Sequence, residues 1–74
     1  MTGKPVLSSR EVIELLECLG LREVRSRGSH KQFRHADGRF TTVPVHAGRD
    51  ISPILLSQIA KNIGLTVHEL LKSR

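Results

Sequence analysis

Histidine beside arginine and lysine is the combination in this 74-residue chain that could do chemistry, and it is concentrated in the central third. Gly28-Ser29-His30 puts an imidazole just after a residue that tolerates a positive φ, so the chain can turn sharply and present His30 at the start of a strand. Imidazole titrates near neutrality and can accept or deliver a proton, an effect worth roughly 100–10,000-fold in rate. RNA carries its own nucleophile, the 2′-OH, beside each phosphate. One base and a few cations therefore suffice for transesterification, without metal or covalent intermediate. DNA lacks that hydroxyl and resists the same apparatus. The competing reading of His30 is an ordinary surface histidine, and spacing alone does not separate the two.

The other histidines divide by position. His46 falls at the end of a strand on the same face as His30, where it could share acid and base duties or bind phosphate; a strand-end polar residue is the simpler reading. His35 is expected beside a turn, on the core side, in a packed and hydrogen-bonded role, and His68 on the surface of a terminal helix. With no Cys pair, no H-E-x-x-H and no carboxylate at ligand spacing from His30 or His35, neither a metal site nor a cofactor is expected. Ser29 is not paired with His30 as nucleophile and base, because adjacent strand side chains point to opposite faces; its hydroxyl is expected to tether a backbone group. Arg25, Arg27, Lys31, Arg34 and Arg39 are candidate phosphate contacts, each adding a salt-dependent and sequence-blind increment. With Phe33 and Phe40 the only aromatics and Phe33 assigned to the core, Phe40 is the one possible stacking platform.

The charge distribution supports an anionic partner. Residues 25–50 hold six cations (Arg25, Arg27, Lys31, Arg34, Arg39, Arg49) against two carboxylates (Asp37, Asp50). Residues 1–24 hold three against four, and residues 51–74 three against one. The net charge of +5 thus sits largely in the middle, the electrostatic footprint of a nucleic-acid binder. Glu11, Glu14 and Glu17 lie along one helix as a solvated face. Lone Cys18 cannot form an internal disulfide, apolar runs stop at two or three residues, and the N-terminal segment has no apolar h-region; a cytoplasmic protein without membrane contact is expected. The length predicts one domain, residues 1–74, with a core worth about 3–5 kcal/mol net.

The elements that must position these residues are legible in the periodicity. Ser8 and Glu11 form a capping box, Val12, Ile13, Leu15, Leu16 and Leu19 an apolar stripe, and Gly20-Leu21 a helix end, predicting a helix over 9–19. Alternation then predicts strands near 22–26, 29–35 and 39–45. Parity decides the turn between the last two. A two-residue loop at Asp37-Gly38 would scatter apolar residues over both faces, whereas a three-residue loop, Ala36-Asp37-Gly38, puts Phe33, Thr41, Val43 and Val45 on one face. His30, Gln32, Arg34, Phe40, Thr42, Pro44 and His46 then share the other. Ser52-Pro53 opens a second helix carrying Leu55, Leu56, Ile59, Ala60 and Ile63, ended by Gly64; Thr66 and Glu69 open a short third. Both amphipathic helices need the same sheet face, leaving the opposite face wet.

At these residues a family resemblance emerges. Gly28-Ser29-His30-Lys31-Gln32-Phe33-Arg34-His35-Ala36-Asp37-Gly38-Arg39, followed by Thr42-Val43-Pro44-Val45-His46, resembles HicA, the mRNA-interferase toxin of bacterial HicA–HicB toxin–antitoxin pairs. The resemblance runs from the first helix to Ile63-Gly64-Leu65. It departs at Ile54-Leu55, where many members read Gly-Thr, a difference that bears on partner fit more than on chemistry. It implies a double-stranded-RNA-binding-domain-like α-β-β-β-α fold, with a three-stranded antiparallel sheet, helices on one face and here a short C-terminal helix. It implies ribosome-independent cleavage of mRNA with His30, of the G-S-H motif, as the catalytic residue, and silencing by a HicB-type antitoxin that covers the active site. Arg25, Arg27, Lys31, Arg34 and His46 are the expected RNA contacts. Two other classes stay open on the residues alone: a non-catalytic module gripping structured RNA by shape, and an interaction protein recognised through the apolar and acidic surface of the first helix.

Overall fold

The chain becomes helical at Ser9 because the residue before it supplies what a helix start lacks. The computed structural model, which describes residues 7–45 and 50–73, has Ser8 accepting from the Glu11 amide while the Glu11 carboxylate accepts from the Ser8 amide at 3.0 Å. This reciprocal box satisfies two orphan donors of helix α1 (Ser9–Cys18). At the other end Gly20 takes a φ of +92°, Leu21 N–H reaches back to Leu16 C=O at 2.9 Å and Gly20 N–H to Glu17 C=O at 3.0 Å. That is a Schellman end, and it buries Leu21.

Beyond a two-residue strand β1 (Leu7–Ser8) ahead of α1, strands β2 (Arg22–Arg27), β3 (His30–Arg34) and β4 (Phe40–Pro44) follow as an antiparallel sheet in sequence order. Between β3 and β4 the partners are His30↔Pro44, Lys31↔Val43, Gln32↔Thr42, Phe33↔Thr41 and Arg34↔Phe40, the register of the longer loop. Gly38 has a φ of +100° within it. Phe33, Thr41 and Val43 are consequently buried, and His30, Arg34 and Phe40 exposed. Helix α2 (Pro53–Asn62) starts as expected, with the Ser52 hydroxyl accepting from the Leu55 amide and Pro53 in the first turn, and α3 (Val67–Leu71) starts on the Thr66–Glu69 box. Val12, Leu15 and Leu16 of α1, Leu56, Ile59, Ala60 and Ile63 beside α2, and Leu70 of α3 join Phe33 and Val43 in one core. The order helix, three antiparallel strands, helix, short helix matches the expected α+β, dsRBD-like class.

Two features were not foreseen. Leu7–Ser8 pairs antiparallel with Asp50–Ile51, Leu7 opposite Ile51, and both apolar residues are buried. Each stands one residue before an N-cap serine, so this short ribbon ties the starts of α1 and α2 together. The second feature is a register shift in β2 between Glu23 and Arg25.

The His35-Ala36-Asp37-Gly38-Arg39 turn is a clamp. Asp37 accepts from the Arg39 amide at 3.0 Å and from Arg39 Nε at 2.7 Å, while Arg39 Nη1 donates to the Ile63 carbonyl at 3.0 Å, at the end of α2. The Arg39 guanidinium therefore neutralises a helix C-terminus, where cations are favoured, and does not join the phosphate-contact candidates. His35 Nδ1 accepts from the Asp37 amide at 3.0 Å, and its ring lies against Gly20: a Cβ there would come within 3.1 Å of Nε2. The turn thus links the end of α1 to the end of α2. The Arg39 amide bond and then the Arg39 charge hold the Asp37 carboxyl below its ordinary range. A depressed carboxylate stabilises fully above the unfolded value, about 3.9, and that contribution fades as pH falls through the lower folded value. Asp37→Asn is therefore expected to be less stable than wild type in urea at pH 6, with the gap closing below about pH 4. An undiminished gap at pH 2 would show that the ionised carboxylate is not what holds the turn.

Candidate active site

His30 is placed by a two-residue hairpin. Gly28-Ser29 joins β2 to β3 with Arg27 directly opposite His30. Gly28 has a φ of +56°, and no described non-glycine residue has a positive one, the pattern of a turn with glycine at its first central position. A Cβ at Gly28 would meet nothing within 4 Å, so the demand for glycine is conformational alone. The Ser29 carbonyl accepts from the Val45 amide, holding the hairpin to the end of β4. The tether expected of the Ser29 hydroxyl is thus made by its backbone.

The cations reach the His30 face through the irregularity in β2. Arg22 is opposite Arg34 and Glu23 opposite Phe33; after Val24 the register resumes one residue later, with Arg25 opposite Gln32, Ser26 opposite Lys31 and Arg27 opposite His30. Val24 is the extra residue, 56% exposed. Without this bulge, strict alternation would carry Arg25 and Arg27 to the Phe33 face, under the helices. With it they stand with Arg22, Arg34 and His30 on the open side. Arg22, which sequence reasoning did not single out, joins them through its pairing with Arg34; the signal was its parity against β3. Arg34 Cζ lies 6.0 Å from the Phe40 ring centroid, a cation–π contact on the same face.

Other candidates are distributed elsewhere. Lys31 lies on the helix side of the sheet, opposite Val43, with Nζ 3.6 Å from Glu23 Oε1. Both partners are more than a third exposed, so this pair adds little stability but directs Lys31 away from the arginines. His35 is packed at the turn, as expected, and His68 is exposed on α3. His46 lies outside the described residues. Among the described residues no three His, Cys, Asp or Glu side chains stand together as a metal site.

His30 itself is exposed and borders a groove of about 400 Å3, whose walls are His30, Phe40, Thr41, Thr42 and Pro44 of the sheet and Leu55, Gln58, Ile59 and Asn62 of α2. A larger hollow, about 650 Å3, lies along the acidic side of α1 between Glu11 and Cys18. Among the described residues its walls hold no cation or imidazole, so its size is no guide to the chemistry. Ile54, at the departure from the family pattern, is 75% exposed.

The element order and the exposed histidine on a basic sheet face define a small dsRBD-like α+β protein. The profile described as "HicA toxin of bacterial toxin-antitoxin" matches residues 9–65, and the chain belongs to this HicA toxin family. Family membership makes it the toxin of a toxin–antitoxin system and implies a cognate antitoxin as partner. Among the curated proteins none matches the chain. Among the described residues no helix is long and apolar enough to cross a membrane. Since Gly28 is needed only for its backbone, Gly28→Ala should cost about 1–2 kcal/mol in urea unfolding, the penalty for a left-handed alanine. No loss of stability would mean that the hairpin readily takes another turn.

Proposed function

We propose that this toxin is a metal-independent endoribonuclease that cleaves mRNA in the cytoplasm without the ribosome, inhibiting translation and growth under stress. One observation carries the reading: His30 is exposed on the open sheet face with Arg27 opposite it and Arg25 and Arg34 on the same side. His30 takes the proton of a 2′-OH. The O2′ attacks the adjacent phosphorus, the bond to O5′ breaks, and the departing oxygen takes up a proton. The products are a 2′,3′-cyclic phosphate and a 5′-hydroxyl. Arginines on the face stabilise the extra negative charge of the pentavalent phosphorane, the type of assistance that is often the largest in such reactions. His46, beyond the end of β4 in the sequence, is the candidate for delivering the proton to O5′. A HicB-type antitoxin silences the enzyme by covering this face.

His30→Ala is expected to lower cleavage of a single-stranded RNA by about 100-fold or more and to abolish growth inhibition. End-group analysis of wild-type products should find the cyclic phosphate. Full RNase activity and toxicity in His30→Ala would end the proposal. Arg25→Gln and Arg27→Gln should each weaken binding across all sequences and reduce the salt slope by about 0.7. Charge reversal at Arg25 and Arg27 that abolishes function while His30→Ala leaves it intact would instead mark a binding module that grips RNA by shape.

A further inference from the structure

The open face divides into two chemically different halves. Arg22, Arg25 and Arg27 of β2 and Arg34 of β3 make one half cationic. The other half, the groove between β4 and α2, has no Lys, Arg, Asp or Glu among the described residues of its walls. Its surfaces are of two kinds: flat or apolar groups from Phe40, Pro44, Leu55 and Ile59, and neutral hydrogen-bonding groups from Thr42, Gln58 and Asn62. Gln58 and Asn62 are four residues apart on α2, one helical turn, and so flank the groove from the same side. Asn62 Nδ2 donates to Thr41 Oγ1 at 3.2 Å, which fixes that amide against β4. At about 400 Å3 the space falls within the range of small-ligand sites, about 300–1,000 Å3.

A charged phosphate gains nothing in such a groove, and neither does a basic or acidic peptide side chain. A planar, neutral heterocycle with donors and acceptors on its edge matches it: the apolar walls take the π-faces and the amides read the edge, as side-chain amides do for nucleobases. The outer strands β2 and β4 are about 9–10 Å apart across the sheet, comparable with the reach of a nucleotide from phosphate to base edge. His30, in the strand between them, borders the groove. We propose that the β4–α2 groove is a base-selective subsite that takes one unpaired base of single-stranded RNA, with Gln58 and Asn62 reading its edge while the β2–β3 arginines hold the phosphates. This rests on the reading of the open face as an RNA site and commits it further: the substrate is single-stranded at the cut, although the fold is of a duplex-binding type.

The test measures binding, so that it stands apart from cleavage. Four short RNAs differing at one position, 2′-O-methylated throughout so that no 2′-OH can react, are titrated with the full-length protein by fluorescence anisotropy, alongside a duplex. Wild type should prefer one base by roughly tenfold or more and bind the duplex without that preference. Gln58→Ala should bring the ratio towards one while leaving the salt slope unchanged. Asn62→Ala should do the same, and Gln58→Ala carries the test if loss of the Thr41 contact unfolds the Asn62 variant. Equal binding of all four RNAs, or a preference that survives Gln58→Ala, overturns the subsite. Weakened binding of the antitoxin by Gln58→Ala with RNA discrimination intact also overturns it, assigning the groove to a protein partner. Base-selective binding without cleavage of the unmodified RNA would refute the nuclease reading and leave the subsite standing; cleavage without base preference would do the reverse.

Discussion

A strand's side chains alternate between two faces, and that constraint governs where this protein can have a site. With Phe33 and Val43 committed to the core, every other side chain of β2, β3 and β4 is assigned by register. A slip of one residue would exchange the open and covered sets completely. Two local devices hold the register: the loop ending at Gly38 and the bulge at Val24. The first keeps His30 exposed. The second brings Arg25 and Arg27 to its side, at the expense of leaving a valine in solvent. One set of backbone choices thus both packs the core and sets which side chains stand on the open face.

The family motif separates along the same lines. Its Gly28-Ser29-His30 half builds the hairpin that presents the imidazole. Its His35-Asp37-Gly38-Arg39 half contributes nothing to the open face and binds the fold together: Asp37 closes the turn, Arg39 reaches the end of α2, and His35 fills the space that Gly20 leaves at the end of α1. In a chain with one small core, these contacts join the β3–β4 turn to the ends of both helices. A run of residues that reads as a basic, histidine-rich site is therefore half on the open face and half structural.

Much of this is legible in the residues themselves. The capping boxes at Ser8 and Thr66, the serine-proline start at Ser52 and the glycine ends at Gly20 and Gly64 rest on contacts within a few residues, and each appears where the sequence puts it. The β3–β4 register was also available, because of the two short loops weighed only the three-residue one keeps Phe33 and Val43 on a single face. Arg39 misled: an exposed-looking arginine in a basic stretch found its partner at Ile63, 24 residues away, and nothing local signals that contact. Lys31 was ambiguous for a related reason. Strand parity places it opposite Val43, but its charge argued for the arginine side.

What the one-dimensional pattern establishes on its own is the three helices and the three strands of the sheet, their buried residues and the identity of the histidine that leads a strand, since capping, periodicity and turn chemistry are short-range effects. The Val24 bulge, the Leu7–Ile51 ribbon and the groove that brings Gln58 and Asn62 beside His30 came only with the folded chain. The ribbon and the groove depend on contacts between segments far apart in sequence, and the bulge on how β2 pairs within its hairpin; none of these leaves a periodic trace in the residues that make it.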